Sequence, residues 1–199
     1  MTSVTIGNSV KTLGEGAFSY CTGLASITVP GNVETIGQRA FYGCTSLTSV
    51  TINEGVSTIG IKAFYNCRKL SSSIYFPSSI TGIGGKAFEN VMLDTIYLAA
   101  QNPPLIIEKS DAWSTFSGRY YPRYLYVPTG TVDKYKVEKG WKDILYIKEN
   151  PNETGMQKII SGNETKKIYS LNGEKLQTPS KGINIIKKKD GTVKKVLMK

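Results

Sequence analysis

Histidine is absent from the 199 residues, and cysteine occurs only three times. Without imidazole the chain lacks the commonest general acid–base and the commonest metal ligand. Ser-His-Asp and Cys-His catalysis are therefore excluded within it. Three thiols with no histidine do not suit a zinc site, and no cofactor is expected. No apolar run approaches the roughly 20 residues of a membrane-spanning helix. A secretory leader is also missing: Met1-Thr2-Ser3 runs straight into patterned sequence. Either the protein is cytosolic, or its leader lies outside this chain.

Acidic residues are scarce beside basic ones, 15 against 25. The deficit is local. Residues 1–100 carry 6 Lys/Arg and 5 Asp/Glu, residues 101–150 carry 8 and 6, and residues 151–199 carry 11 and 4. The net charge of +10 therefore splits as +1, +2 and +7. A nucleic-acid argument from the whole-chain charge would misplace it.

What is present is a repeat. Ala-Phe recurs at Ala17-Phe18, Ala40-Phe41, Ala63-Phe64 and Ala87-Phe88, with Phe spacings of 23, 23 and 24. Three positions after each Phe stand Cys21, Cys44, Cys67 and Val91, and four before it Gly14, Gly37, Gly60 and Gly84. Pairs such as Ile27/Val29, Ile52/Val50, Ile74/Phe76 and Ile96/Leu98 alternate like a strand with one buried face. The glycines imply either a positive φ or a close backbone approach. Ala-Phe-x-x-Cys reads as a short helical turn that stacks Phe rings in one column and thiols in another. One unit cannot bury its apolar face alone, whereas stacked units share a core. The expected fold is a β-rich α/β, right-handed solenoid with short parallel strands. One extra residue between Leu70 and Ile74 reads as a slip taken up in a turn.

These units, for example "LASITVPGNVETIGQRAFYGC" and "LTSVTINEGVSTIGIKAFYNC", resemble the BspA-type leucine-rich repeat of surface proteins from Bacteroidetes, treponemes and trichomonads. The resemblance implies a non-enzymatic, exported or surface-displayed binding or adhesion protein. Its partner would be a host or extracellular-matrix protein. A glycan within a polysaccharide-handling system is the alternative, and a spacer presenting another domain is a third reading.

Beyond residue 100 the pattern degrades. Ala112-Trp113 stands where Ala-Phe is expected, and Leu125-Tyr126-Val127-Pro128 repeats the strand. Val132, Tyr135, Trp141 and Ile144 follow at roughly helical spacing. They suit an amphipathic cap over the open solenoid end, with Thr131 as N-cap. At the other end Val4-Thr5-Ile6 reads as the inside of a strand. The expected domains are a repeat and cap region at 1–147, a polar linker at 148–157 and a small all-β module at 158–199. Asn172-Gly173 and Asp190-Gly191 are type I′ turn dipeptides, and they divide the module into two hairpins. Its segment "IYSLNGEKLQTPSKGINIIKKKDGTVKKVLMK" is similar to the short C-terminal domain of Bacteroidetes secreted proteins, which implies a role in export or attachment. The membrane would be met only through such a system, at the outer-membrane surface or outside the cell.

Several chemistries are weighed and set aside. The cysteines read as buried free thiols filling core space, since Val91 preserves size but not chemistry. The run Lys187-Lys188-Lys189 reads as solubilising charge on a hairpin, because no nucleic-acid recognition motif accompanies it. Asp133 and Glu138 lie in the cap with no pocket-forming motif. The candidate site is elsewhere. Outward strand positions carry Ser26, Thr28, Ser49 and Thr51 early, then Tyr75, Tyr97, Tyr124 and Tyr126, with Tyr120 and Tyr121 near the same end. Exposed Tyr is enriched at interfaces, and solenoid sheet faces bind ligands. The four strand tyrosines are the expected ligand-binding residues.

Overall fold

The computed structural model describes residues 2–107, 115–116 and 121–151, and four strands between 167 and 198. The chain divides into two compact units, 1–150 and 151–199. In the first, every repeat supplies two strands to two separate parallel sheets. One sheet is unbroken, in the order β1 (Thr12–Leu13), β3 (Thr35–Ile36), β5 (Thr58–Ile59), β7 (Gly82–Gly84) and β9 (Leu105–Ile107). The other comprises β2 (Ser26–Val29) with β4 (Ser49–Ile52), and then β6 (Ser73–Phe76), β8 (Thr95–Leu98), β10 (Tyr124–Val127) and β11 (Tyr146–Glu149) in sequence order. This is a parallel-strand solenoid with almost no helix, as the alternation and the repeat imply.

The second sheet breaks between β4 and β6, and two local features coincide there. The extra residue puts Ser71 N on Thr48 O, but Asp94 N of the next repeat on Ser72 O. In addition, Asn53 N donates to Val29 O and Ala99 N to Phe76 O, whereas Pro77 at that place has no N–H. The slip is thus taken up as a gap in the ladder rather than in a turn.

The third side is where expectation and structure differ most. Ala-Phe-x-x-Cys is a chain of tight turns, not a helical turn. Local bonds such as Ala40 N to Gly37 O and Cys44 N to Phe41 O close each turn. Alternate N–H groups instead reach the next repeat, as in Phe18 N to Ala40 O and Phe41 N to Ala63 O. The alternation needs left-handed residues two before and two after each Phe. Gly16, Arg39, Lys62 and Lys86 fill the first place, and Tyr20, Gly43, Asn66 and Asn90 the second, with φ between 53 and 69°. The recurrent glycine four before Phe has no positive φ. Its reason is contact: a Cβ on Gly60 would lie 2.5 Å from Gln38 N, and one on Gly84 would lie 2.3 Å from Ile61 N.

The core is a column of rings. Phe18, Phe41, Phe64 and Phe88 stack with centroids 5.2, 5.1 and 5.1 Å apart, near-parallel at 14°, 8° and 13°. Offset stacking at this spacing is favourable beyond the area it buries. The column continues to Phe116 at 5.8 Å. Thr115-Phe116 therefore occupies the fifth Ala-Phe place, as Phe88 N donating to Thr115 O confirms. Ala112-Trp113, expected there, lies outside the described residues. The three cysteines are free. Cys44 and Cys67 are buried and donate their S–H to Phe18 O at 3.0 Å and Phe41 O at 3.1 Å. Contact with the Cys44 sulfur and burial push the Cys67 pKa far upward, so this thiol stays protonated and inert.

The cap closes the column. The helix α1 spans only Val132–Val137, and Gly140, at φ 85°, turns the chain back. Trp141 lies 5.5 Å from Phe116 and donates from Nε1 to Pro104 O at 2.8 Å. Tyr135 is buried beside it and donates to Ala100 O at 2.7 Å. Thr131 does not cap the helix with its side chain; its hydroxyl donates back to Pro128 O. At the other end, residues 4–6 form no strand, although Val4 and Ile6 pack partly buried against the core.

Among the described residues the second unit holds four antiparallel strands. They are β12 (Lys167–Tyr169), β13 (Lys175–Leu176), β14 (Gly182–Lys187) and β15 (Val193–Met198), in the order β13-β12-β14-β15. The Asn172-Gly173 and Asp190-Gly191 turns lie outside the described residues. Lys148 and Glu149, placed in the linker by composition, belong to β11.

Candidate binding face

The outward positions of β6, β8, β10 and β11 converge on one aromatic surface. Strand register sets Tyr75 opposite Tyr97, Tyr97 opposite Tyr126, and Tyr124 opposite Tyr146. Inward neighbours Ile74, Ile96 and Leu125 are buried and fix the pleat, so the tyrosines must face out. The rings order one another. Tyr97 and Tyr126 stack at 5.2 Å and 13°, and Tyr124 and Tyr146 at 5.1 Å and 22°. Tyr124 and Tyr126, two apart on one strand, lie 6.4 Å apart and near-parallel.

All four expected tyrosines are therefore on one sheet, and three of them share a continuous stack. The sequence reading missed Tyr146. Its signal was available in Tyr146-Ile147-Lys148-Glu149, which repeats the alternation of Tyr124-Leu125-Tyr126-Val127 but is hidden behind the cap. Tyr121 is exposed, and Tyr120 lies outside the described residues. The Ser and Thr residues of β2 and β4 lie on the same side of their own strand pair, beyond the break.

Charge gathers at the Tyr124 end. The Arg123 guanidinium sits 5.7 Å from the Tyr124 ring and bonds Asp94 at 2.6 Å. Lys148 Nζ lies 5.7 Å from Tyr124 and 5.5 Å from Tyr146. Both are cation–π distances. Partial burial and the neighbouring Tyr126 raise the Tyr97 pKa. Chemically the face offers phenol hydroxyls, ring edges and two cations. It offers no nucleophile–base pair, and the described residues contain no group of three or more His, Cys, Asp or Glu able to hold a metal.

A stacked-ring core, two parallel sheets and a mixed cap define a repeat solenoid of the binding or structural class. The chain belongs to the BspA type leucine rich repeat family, whose model matches residues 1–105 in 6 copies. It is similar to a leucine-rich repeat protein from Bacteroides capillosus ATCC 29799 at 35% identity, over 49% of this chain and 72% of that one, with a TM-score of 0.41. It is also similar to one from Bacteroides ovatus ATCC 8483 at 28% identity, over 67% and 32%, with a TM-score of 0.48. A leucine-rich repeat protein of T. pallidum matches at 23% identity, over 70% and 63%, with a TM-score of 0.52. The chain thus spans about a third of the B. ovatus protein and just under two thirds of the T. pallidum one. No curated protein matches. No helix among the described residues is long and apolar enough to cross a membrane.

Proposed function

We propose that this is a non-enzymatic binding protein of the cell exterior, and that Tyr75, Tyr97, Tyr124, Tyr126 and Tyr146 dock a protein partner. The stacking carries the reading. Rings held face to face have already lost their rotamer freedom, so a partner meets a rigid surface with little ordering cost. Tyrosine is also one of the residue types enriched among such anchors. A sugar ring stacking on tyrosine would need a free ring face. Tyr97 with Tyr126, and Tyr124 with Tyr146, turn ring faces toward one another and so have fewer faces to offer a sugar, which favours protein over glycan. Lys148, set over Tyr124 and Tyr146, adds a cation that would select an acidic patch. The C-terminal unit serves export or attachment in this reading.

The test is binding of the full chain to a panel of extracellular-matrix proteins and to a glycan array. A Y97S/Y124S/Y126S/Y146S variant is run beside it. A matrix-protein signal that falls at least about tenfold in the variant supports the reading. A signal confined to the glycan array, or one the variant leaves intact, overturns it.

A further inference from the structure

The repeat array is close to neutral, yet its charge is not evenly placed. Its six cations are Lys11, Arg39, Lys62, Arg68, Lys69 and Lys86. All but Lys11 lie on the turn side, between the glycine four before each Phe and the leucine that follows. Of the five acids, only Glu15 and Glu89 share that side. Arg39, Lys62 and Lys86 moreover fill equivalent places in consecutive repeats, as the bonds Arg39 N to Ile61 O and Lys62 N to Gly85 O show. Stacked repeats bring such places to within about 5 Å of each other along the array, so like charges recur at short range.

Two features make this a costly arrangement for a merely solvated surface. The three residues are left-handed, with φ of 53, 56 and 60°, a conformation that strains a long side chain and that Gly16 meets freely in the first repeat. Neutralisation is also confined to the ends. Arg39 pairs with Glu15 at 3.3 Å and Lys86 with Glu89 at 3.7 Å. Lys62, Arg68 and Lys69 have no ion pair among the described residues, and Arg68 and Lys69 are exposed. Tyrosines run alongside. Tyr42 and Tyr65 stack at 4.8 Å and 3°, and Lys62 Nζ sits 5.7 Å from the Tyr65 ring. Burial and the neighbouring Tyr20 raise the Tyr42 pKa.

We infer that the turn side of the second to fourth repeats is a second binding surface, separate from the tyrosine sheet, and that it takes an acidic polysaccharide. Its cations would meet sulfate or carboxylate groups, and the phenol hydroxyls of Tyr42 and Tyr65 would donate to the same chain. The cations without an ion pair among the described residues, Lys62, Arg68 and Lys69, lie in the middle repeat with the paired Arg39 and Lys86 on either side, which suits a linear polyanion laid along the array. Tyr42 and Tyr65 turn their ring faces to each other and so offer bases no open stacking platform of the kind single-stranded nucleic acid uses.

Retention of the full chain on heparin tests this. Asn fills left-handed places at Asn66 and Asn90, so R39N/K62N/R68N/K69N keeps the turns and should melt like the wild type. It is compared with K187N/K188N/K189N/K194N, which removes equal charge from the more basic C-terminal unit. Heparin affinity at physiological salt is expected to fall about tenfold or more in the first variant and less than about threefold in the second. Y42S/Y65S, with charge unchanged, is expected to lose affinity severalfold. Equal losses in the two charge variants would overturn the inference. So would retention unchanged in Y42S/Y65S, or single-stranded DNA bound more tightly than heparin.

Discussion

Replacing Gly60 by Ala adds one methyl group and asks how closely the repeats touch. The new Cβ would stand 2.5 Å from Gln38 N, 2.6 Å from Gly37 C and 2.8 Å from Gly37 O, where ordinary contact begins near 3.4 Å. Backbone atoms on a neighbouring repeat cannot rotate away, so the two repeats must part by nearly 1 Å. Gly60 N to Ile36 O and Arg39 N to Ile61 O, now 2.7 and 2.9 Å, then leave hydrogen-bond range. Each lost bond with a buried orphan costs about 1–3 kcal/mol, so the substitution should cost roughly 3 kcal/mol or more. Gly14 holds the same place in the first repeat, but a Cβ there meets nothing within 4 Å. Gly14→Ala should be neutral or stabilise by up to about 1 kcal/mol, through lower unfolded-state entropy. Urea midpoints of the two variants measure the difference. Destabilisation of Gly60→Ala no greater than that of Gly14→Ala would refute the contact argument.

Phe64 has a ring on each side and is fully buried, whereas Phe18 ends the column and is only partly buried. Phe64→Ala should cost about 3–5 kcal/mol and Phe18→Ala less than half of that, by chemical denaturation. Of the three thiols only Cys21 is partly exposed. A thiol reagent should modify one cysteine in the native state and three after unfolding, and fast modification of all three in native conditions would contradict the packing. Burial raises the Tyr135 pKa above its ordinary value of 10. The folded state therefore favours the neutral phenol. The stability this gives is complete below pH 10 and is lost as the unfolded phenol ionises above it. Alkaline unfolding should steepen above pH 10, and less so in Tyr135→Phe.

Much of the fold was legible because the same physical demand recurs at a fixed interval. A ring at Phe18, Phe41, Phe64 and Phe88 can only be a shared column, and alternation in Ser73-Ile74-Tyr75-Phe76 assigns its faces without ambiguity. The turns were less legible, because backbone handedness leaves a weak trace in residue type. Arg39 and Lys62 hold the left-handed places that glycine would be expected to mark, while Gly37 and Gly60 answer to contact between repeats. The fifth Ala-Phe place was misread because an insertion moves it to Thr115-Phe116, 28 residues after Phe88, and Ala112-Trp113 imitates the motif nearer the expected interval. Of the aromatic face, Tyr97, Tyr124 and Tyr126 followed from alternation. Tyr146 did not, because the cap interrupts the period just before it. The turn-side cations escaped notice because charge summed over residues 1–100 cancels.

The central claim is that recognition belongs to the tyrosine end of the broken sheet and not to the whole outward face. It is tested by measuring affinity for the matrix protein that the wild type binds best, in Y124S/Y146S and in T28A/T51A. A loss of about tenfold or more in the first with less than about twofold change in the second is the expected result. Equal losses, or a loss only in T28A/T51A, would contradict the account.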